Sequence, residues 1–186
     1  MAKSITTFTL AILILAASPL AMAGEKQQKT REAIDTVMEE TLQKLFKEKE
    51  SAKELYDKSY GYAVFSNMKV AILLTSARGK GAAIHKESGK KTYMKMGSLG
   101  VNVGYGIQKM QVVFLFQNKK VFDNFGNKGW QADAAVDAAL IKKGVTLDVE
   151  FRNGIAVYQF TDKGLMLQAN ISGTKYWKSK KLNKGV

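Results

Sequence analysis

The chain has 186 residues, with 29 Lys and Arg against 16 Asp and Glu, a net charge of +13 at neutral pH, one His and no Cys. The absence of Cys excludes thiol catalysis, disulfide stapling and zinc–thiolate centres, and a lone His excludes a multi-histidine metal site. A basic excess of this size attracts anions over a distance, so an anionic partner is the first class to weigh, with solubility alone as the plainer use of the charge.

Residues 1–23 read as a secretory leader. Lys3 supplies a charged start, Leu10 to Ala17 is a short apolar core, Pro19 breaks it, and Ala21-Met22-Ala23 forms an A-x-A site before Gly24. The apolar run falls short of the about 20 residues that cross a bilayer, so cleavage between Ala23 and Gly24 is expected rather than an uncleaved anchor. No Cys follows the apolar core, which excludes a lipid-modified N-terminus. The expected mature chain, residues 24–186, is then a single soluble domain in the periplasm or outside the cell, helical over 25–58, mainly β over 60–177 and ending in a basic tail at 178–186.

Glu25 to Lys47 is predicted as an amphipathic helix. Ile34, Val37, Met38, Thr41, Leu42, Leu45 and Phe46 recur at helical spacing and form one apolar stripe. Acids and bases are balanced on the other faces, five of each over 25–47, which suits core packing better than a membrane-surface helix. Ser51-Ala52-Lys53-Glu54 has the form of a capping box, and a second short helix is expected from there to about Lys58. Gly61 closes the helical region.

From Tyr62 the period changes to that of strands. Short apolar runs at 62–65 and 70–74, partly alternating segments at 92–96 and 99–105, and the strong candidate at 110–116 follow one another. Residues 155–160 and 165–171 form an expected hairpin around Thr161-Asp162-Lys163-Gly164. Two stretches are ambiguous. Asn118 to Phe125 has Val121, Phe122 and Phe125 on one side of a possible short helix. Residues 130–141 are Ala-rich, and propensity alone favours a helix there. The fold class expected is α+β: N-terminal helices packed on a twisted antiparallel sheet approaching a sandwich or partial barrel.

Two blocks carry more than pattern: Ser59-Tyr60-Gly61-Tyr62-Ala63-Val64-Phe65, and Thr161-Asp162-Lys163-Gly164-Leu165-Met166-Leu167 with its continuation Gly173-Thr174-Lys175-Tyr176-Trp177. Together they resemble the SYLF lipid-binding family in its bacterial branch, over roughly Glu25 to Trp177. The family usually has Pro after G-Y-A-V-F, where this chain has Ser66; that change bears on a turn rather than on a chemical group. The resemblance implies lipid binding without identifying the lipid, and it implies a strand at 130–141. Eukaryotic relatives are linked to phosphoinositides and actin, and the actin link is not expected to transfer to a bacterial envelope.

The chemistry-bearing residues point the same way. Gly79 and Gly81, and the cluster at Gly97, Gly100, Gly104 and Gly106, lack dinucleotide or P-loop spacing and suit bends in a curved sheet. His85 has no H-E-x-x-H or nucleophile-elbow context and reads as a surface loop residue. Asp133 and Asp137 read as ordinary solvated acids, and no cofactor is expected.

The charge is segregated: residues 24–58 carry eight Lys and Arg and nine Asp and Glu, whereas 59–186 carry twenty against seven. Two basic clusters result. The first holds Arg78, Lys80, Lys86, Lys90, Lys91 and Lys95, with Ser88-Gly89-Lys90 as an expected hairpin turn. The second holds Lys175, Trp177, Lys178, Lys180 and Lys181, with Tyr176 and Lys184 beside them. Trp and Tyr favour a membrane–water interface, though Tyr176 and Trp177 also suit packing in a last core strand. The expectation is an exported, non-enzymatic protein that binds anionic lipid head groups peripherally, with no role for nucleic acid. The alternative is a structural envelope protein binding wall polymer or a protein partner, and a hydrolase joining His85 to a serine and a carboxylate stands third.

Overall fold

The apolar stripe of the first helix meets a sheet that is buried on both faces. The computed structural model describes residues 19–71, 76–99, 106–131, 149–161, 164–166 and 173–186. In chain order these form α1 (Pro19–Glu48), α2 (Glu50–Asp57), β1 (Gly61–Ala71), β2 (Ser76–His85), β3 (Lys91–Leu99), β4 (Gly106–Phe116), α3 (Lys119–Lys128), β5 (Trp130–Gln131), β6 (Ile155–Thr161), β7 (Gly164–Met166) and β8 (Thr174–Lys178). The strands make one antiparallel sheet in the order β5-β8-β3-β2-β1-β4-β6-β7, curled into a half-barrel. The fold is α+β, as expected.

Strand alternation sends successive side chains to opposite faces. On one face Val64, Ala82, Ile84, Val113, Leu115, Tyr158 and Phe160 pack against Ile34, Met38, Leu42 and Leu45 of α1. On the other, Phe65, Met94, Met96, Phe114, Phe116 and Tyr176 pack with Phe125 of α3. Because both faces are covered, residues 62–65 and 112–116 read as continuous apolar runs rather than as alternating ones. Rings dominate the second face: Phe114 lies 5.1 Å from Phe125, 5.0 Å from Tyr176 and 5.5 Å from Trp130, centroid to centroid.

Several local expectations change. The runs at 62–65 and 70–71 are not separate strands, since β1 continues through the polar residues between them, paired on both edges by β2 and β4, while 72–74 lie outside the described residues. The capping box does not form. Lys49 occupies the N-cap of α2 and its side chain makes no capping bond. Lys49 N bonds Leu45 O at 2.8 Å, so α1 ends only there and Ser51 falls inside the first turn of α2. Helix α1 is described from Pro19 onward, so it spans the expected cleavage site. The ambiguous segment after β4 is helical, because the Asn118 side chain accepts from Val121 N and caps α3. Trp130 and Gln131 pair with β8 as a strand, while 132–148 lie outside the described residues, Asp133 and Asp137 among them. Gly100 and Gly104 and the second half of the 165–171 strand lie outside them too.

The basic tail is docked rather than loose. Leu182 is buried against the α1 side of the core. Asn183 uses its side chain as a surrogate strand residue, accepting from Tyr93 N and donating to Tyr93 O. Arg31 of α1 donates to Leu182 O at 3.2 Å.

Candidate functional site: a basic sheet face beside an amphiphilic groove

The eight described strands contain no Asp or Glu, yet they hold Lys69, Arg78, Lys80, Lys91, Lys95, Lys109, Lys175 and Lys178. The register brings part of this set together. Ser66 pairs with Lys80, Lys80 with Lys95, and Lys95 with Trp177, which makes one row across β1, β2, β3 and β8. In the adjoining row Arg78 pairs with Gly97 and Gly97 with Lys175. Directly paired residues of an antiparallel ladder share a face. Ser66 and Lys80 face α1, where they line a groove with Val64, and this places both rows on the α1 side of the sheet.

Helix α1 covers Val64, Ala82 and Ile84 and leaves the end bearing Arg78, Lys80, Lys95 and Lys175 exposed. None of these four cations makes an ion pair among the described residues. Like charges opposite one another destabilise a ladder, so the Lys80–Lys95 pair is a cost that packing does not require. Trp177 lies beside them and is 39% exposed, unusual for so large an apolar side chain in this chain. Its ring rests on Gly97, where an added Cβ would come within 3.0 Å of the indole. Gly97 thus gives the indole its seat. The five residues Arg78, Lys80, Lys95, Lys175 and Trp177 form one cationic surface with an aromatic at its edge.

The other expected site residues are placed elsewhere. Lys86 donates to Tyr56 O at 2.6 Å and Asp57 O at 3.0 Å and lies over the Tyr56 ring, so it caps the C-terminus of α2. Its partial burial lowers its pKa, with the nearby Asp57 charge opposing. Lys91 pairs with Asp35 of α1 at 2.7 Å. Lys90 is exposed in the turn after β2, roughly 17 Å of strand beyond Lys80. Lys178 pairs with Met94 and alternates away from Trp177. Lys180 and Lys181 are exposed in the turn that follows β8.

His85 does meet a serine, with Nδ1 2.6 Å from Ser88 Oγ. That contact closes a turn in which Ser88 N also donates to His85 Nδ1 and Gly89 N to His85 O. The imidazole packs at 4.5 Å from the Tyr60 ring, and no carboxylate among the described residues hydrogen-bonds to it. The serine–histidine contact is therefore part of a turn.

A groove of about 670 Å³ opens beside the cationic row. One wall is a single face of α1, at residues 25–26, 29–30, 33–34 and 37–38, and the other is Val64, Ser66 and Lys80. Sequence reading missed it, because the stripe from Ile34 onward reads as core and the facing strand positions depend on register.

Asp35 ties α1 to β3 beside this region. It accepts from Lys91 and from the Tyr93 hydroxyl at 3.2 Å. Burial, with the Asp35 charge second, pushes the Tyr93 phenol up to about 12 from its ordinary value of 10.0. The folded state then holds a proton that the unfolded chain releases first. The stability tied to it is present below pH 10 and is lost as pH rises from about 10 towards 12. Denaturant unfolding across that window should show a steep loss in the parent and a shallower one in Tyr93→Phe. Identical slopes would mean that Tyr93 titrates as an exposed phenol.

No protein-family model matches the chain. Over 155 residues, 83% of its length, the chain is 43% identical to a protein of Aeromonas veronii named Beta cell expansion factor A. It spans 59% of that relative's length.

Proposed function

We propose that this chain is an exported, non-enzymatic lipid-binding protein of the SYLF type that docks peripherally on anionic bilayers. The observation that carries the reading is the two-row surface of Arg78, Lys80, Lys95 and Lys175 with exposed Trp177, on a sheet whose described strands hold no acid. Lys and Arg near an anionic membrane surface contribute about 1 kcal/mol each, and Trp favours the interface itself. A rigid sheet holds these charges at lower entropic cost than a free tail would. The G-Y-A-V-F and G-L-M…G-T-K blocks support the family assignment, because they form β1 and the strands β7 and β8. No described helix is long and apolar enough to cross a membrane.

Vesicle co-sedimentation tests the reading. Anionic vesicles should bind the protein, neutral ones should not, and binding should weaken with salt as the charges are screened over about 8–10 Å. Indifference to vesicle charge would point instead to a wall polymer or protein partner. Export has its own check. Intact mass of the protein recovered from outside the cytoplasm should place the N-terminus at Gly24, and a membrane-embedded species retaining residues 1–23 would refute cleavage.

A further inference from the structure

The groove beside α1 is not simply apolar. Its polarity changes along its length. Residues 33–34 and 37–38, with Val64, make an apolar floor at one end. At the other end stand Lys26, Lys29, Thr30, Ser66 and Lys80, with Glu25 as the one acid of the lining. Lys29 is engaged by Glu25 at 2.7 Å, whereas Lys26 and Lys80 have no ion pair among the described residues. From residue 25 to residue 38 the helix rises roughly 20 Å. The volume falls in the range of about 300–1,000 Å³ typical of clefts for small ligands. The side chains lining the apolar half are Ala33, Ile34, Val37, Met38 and Val64, and none carries a polar terminus that a chain-like ligand would leave unpaired.

We infer that this groove holds one long-chain fatty acid, its hydrocarbon lying along α1 over Val37 and Met38 and its carboxylate at Lys80, Lys26 and Ser66. Charge complementarity assigns the head end, since the polar half carries three lysines against Glu25, which Lys29 neutralises, together with hydroxyl donors. The polarity gradient assigns the direction. The roughly 20 Å run of the groove along α1 suits one extended hydrocarbon chain. The assignment rests on the lipid-binding reading in one respect, because Lys80 serves both the groove mouth and the sheet surface. Otherwise the two are separable: Arg78, Lys95, Lys175 and Trp177 are outside the groove lining.

The test is titration of the purified full chain with oleate below its micellar concentration, followed by calorimetry. One oleate per chain is expected. Ala33 is exposed on α1 and lines the groove, so Ala33→Trp should fill the channel without disturbing the core, and it should weaken oleate binding at least tenfold. Val37→Trp is a second filling variant, with thermal unfolding of each confirming the fold. Lys80→Gln should weaken oleate by roughly tenfold or more, the worth of a charge-assisted hydrogen bond, and should leave oleyl alcohol unchanged.

Vesicle binding by Ala33→Trp should equal that of the parent. That separates the two readings: oleate lost with vesicle binding retained confirms the groove, and a parent that takes up oleate but ignores anionic vesicles sinks the sheet surface alone. No oleate uptake, several oleates per chain, or two folded filling variants that bind oleate like the parent would each overturn the assignment. Tighter binding of a lysophospholipid than of oleate, or a concentration-dependent dimer in place of oleate uptake, would give the groove to those occupants instead.

Discussion

Replacing Arg78, Lys80, Lys95 and Lys175 together with Gln is expected to lower partitioning onto anionic vesicles by roughly a thousandfold. The figure follows from about 1 kcal/mol for each basic residue near the membrane, with about 1.4 kcal/mol per tenfold. The four lie in adjoining rows of one sheet face, so all can approach a planar surface at once. Their removal should not unfold the protein. They make no ion pairs among the described residues, and loss of the Lys80–Lys95 repulsion favours the ladder. Unfolding free energy should therefore stay the same or rise slightly while binding collapses. Lys86→Gln with Lys91→Gln is the contrasting control. These side chains cap α2 and pair with Asp35, so that variant should lose stability and keep most vesicle affinity. If the fourfold variant binds anionic vesicles as the parent does, the electrostatic mechanism is wrong.

Phe114→Ala should cost about 3–5 kcal/mol of unfolding free energy. Phe114 is fully buried and sits at the centre of the aromatic cluster, within 6.0 Å of Phe65 and 5.0 Å of Tyr176. It pairs through β4 with Ala63 on one side and Val157 on the other. Neighbouring strands hold the backbone on both edges, so the walls cannot collapse into the space the ring leaves, and the cavity term adds to the lost transfer energy. Edge-to-face contacts with Phe65, Trp130 and Tyr176 add further, at about 0.5–1.5 kcal/mol for each such pair. Chemical denaturation gives the number directly. A loss under about 1 kcal/mol would mean that this face of the sheet is not packed as described, and α3 would then have no anchor.

Much of this architecture is legible from local pattern. Helix α1 follows from its apolar stripe, because Ile34, Met38, Leu42 and Leu45 must share a face once the backbone is helical. The strands at 62–65, 110–116 and 155–160 follow from short apolar runs too brief to be helices. The helix at 118–125 is ambiguous in the sequence, although Asn118 caps α3 and Gly129, at a positive φ of 77°, ends it. Where local reading failed, a neighbour outweighed it. The polar residues after Phe65 look like a turn, but pairing on both edges keeps them in β1. Ser51 looks like a cap, but α1 runs on to Glu48 and leaves it inside the next helix. The tail 178–186 looks like loose charge, and only the bonds of Asn183 to Tyr93 and the burial of Leu182 dock it.

By itself the sequence determined the segregation of charge, the α+β order of elements, and the identity of the cations that a surface could use. Those properties are additive along the chain and need no partner. Only the tertiary structure decided which cations meet. Lys86 and Lys91 stand in the same stretch of sequence as Lys80 and Lys95, yet the first pair is consumed by Tyr56, Asp57 and Asp35 while the second lies open beside Trp177. The reason is register. A side chain's face alternates with every residue, and its neighbours come from strands more than a dozen to nearly a hundred positions away, so one pairing choice determines both the cationic surface and the groove.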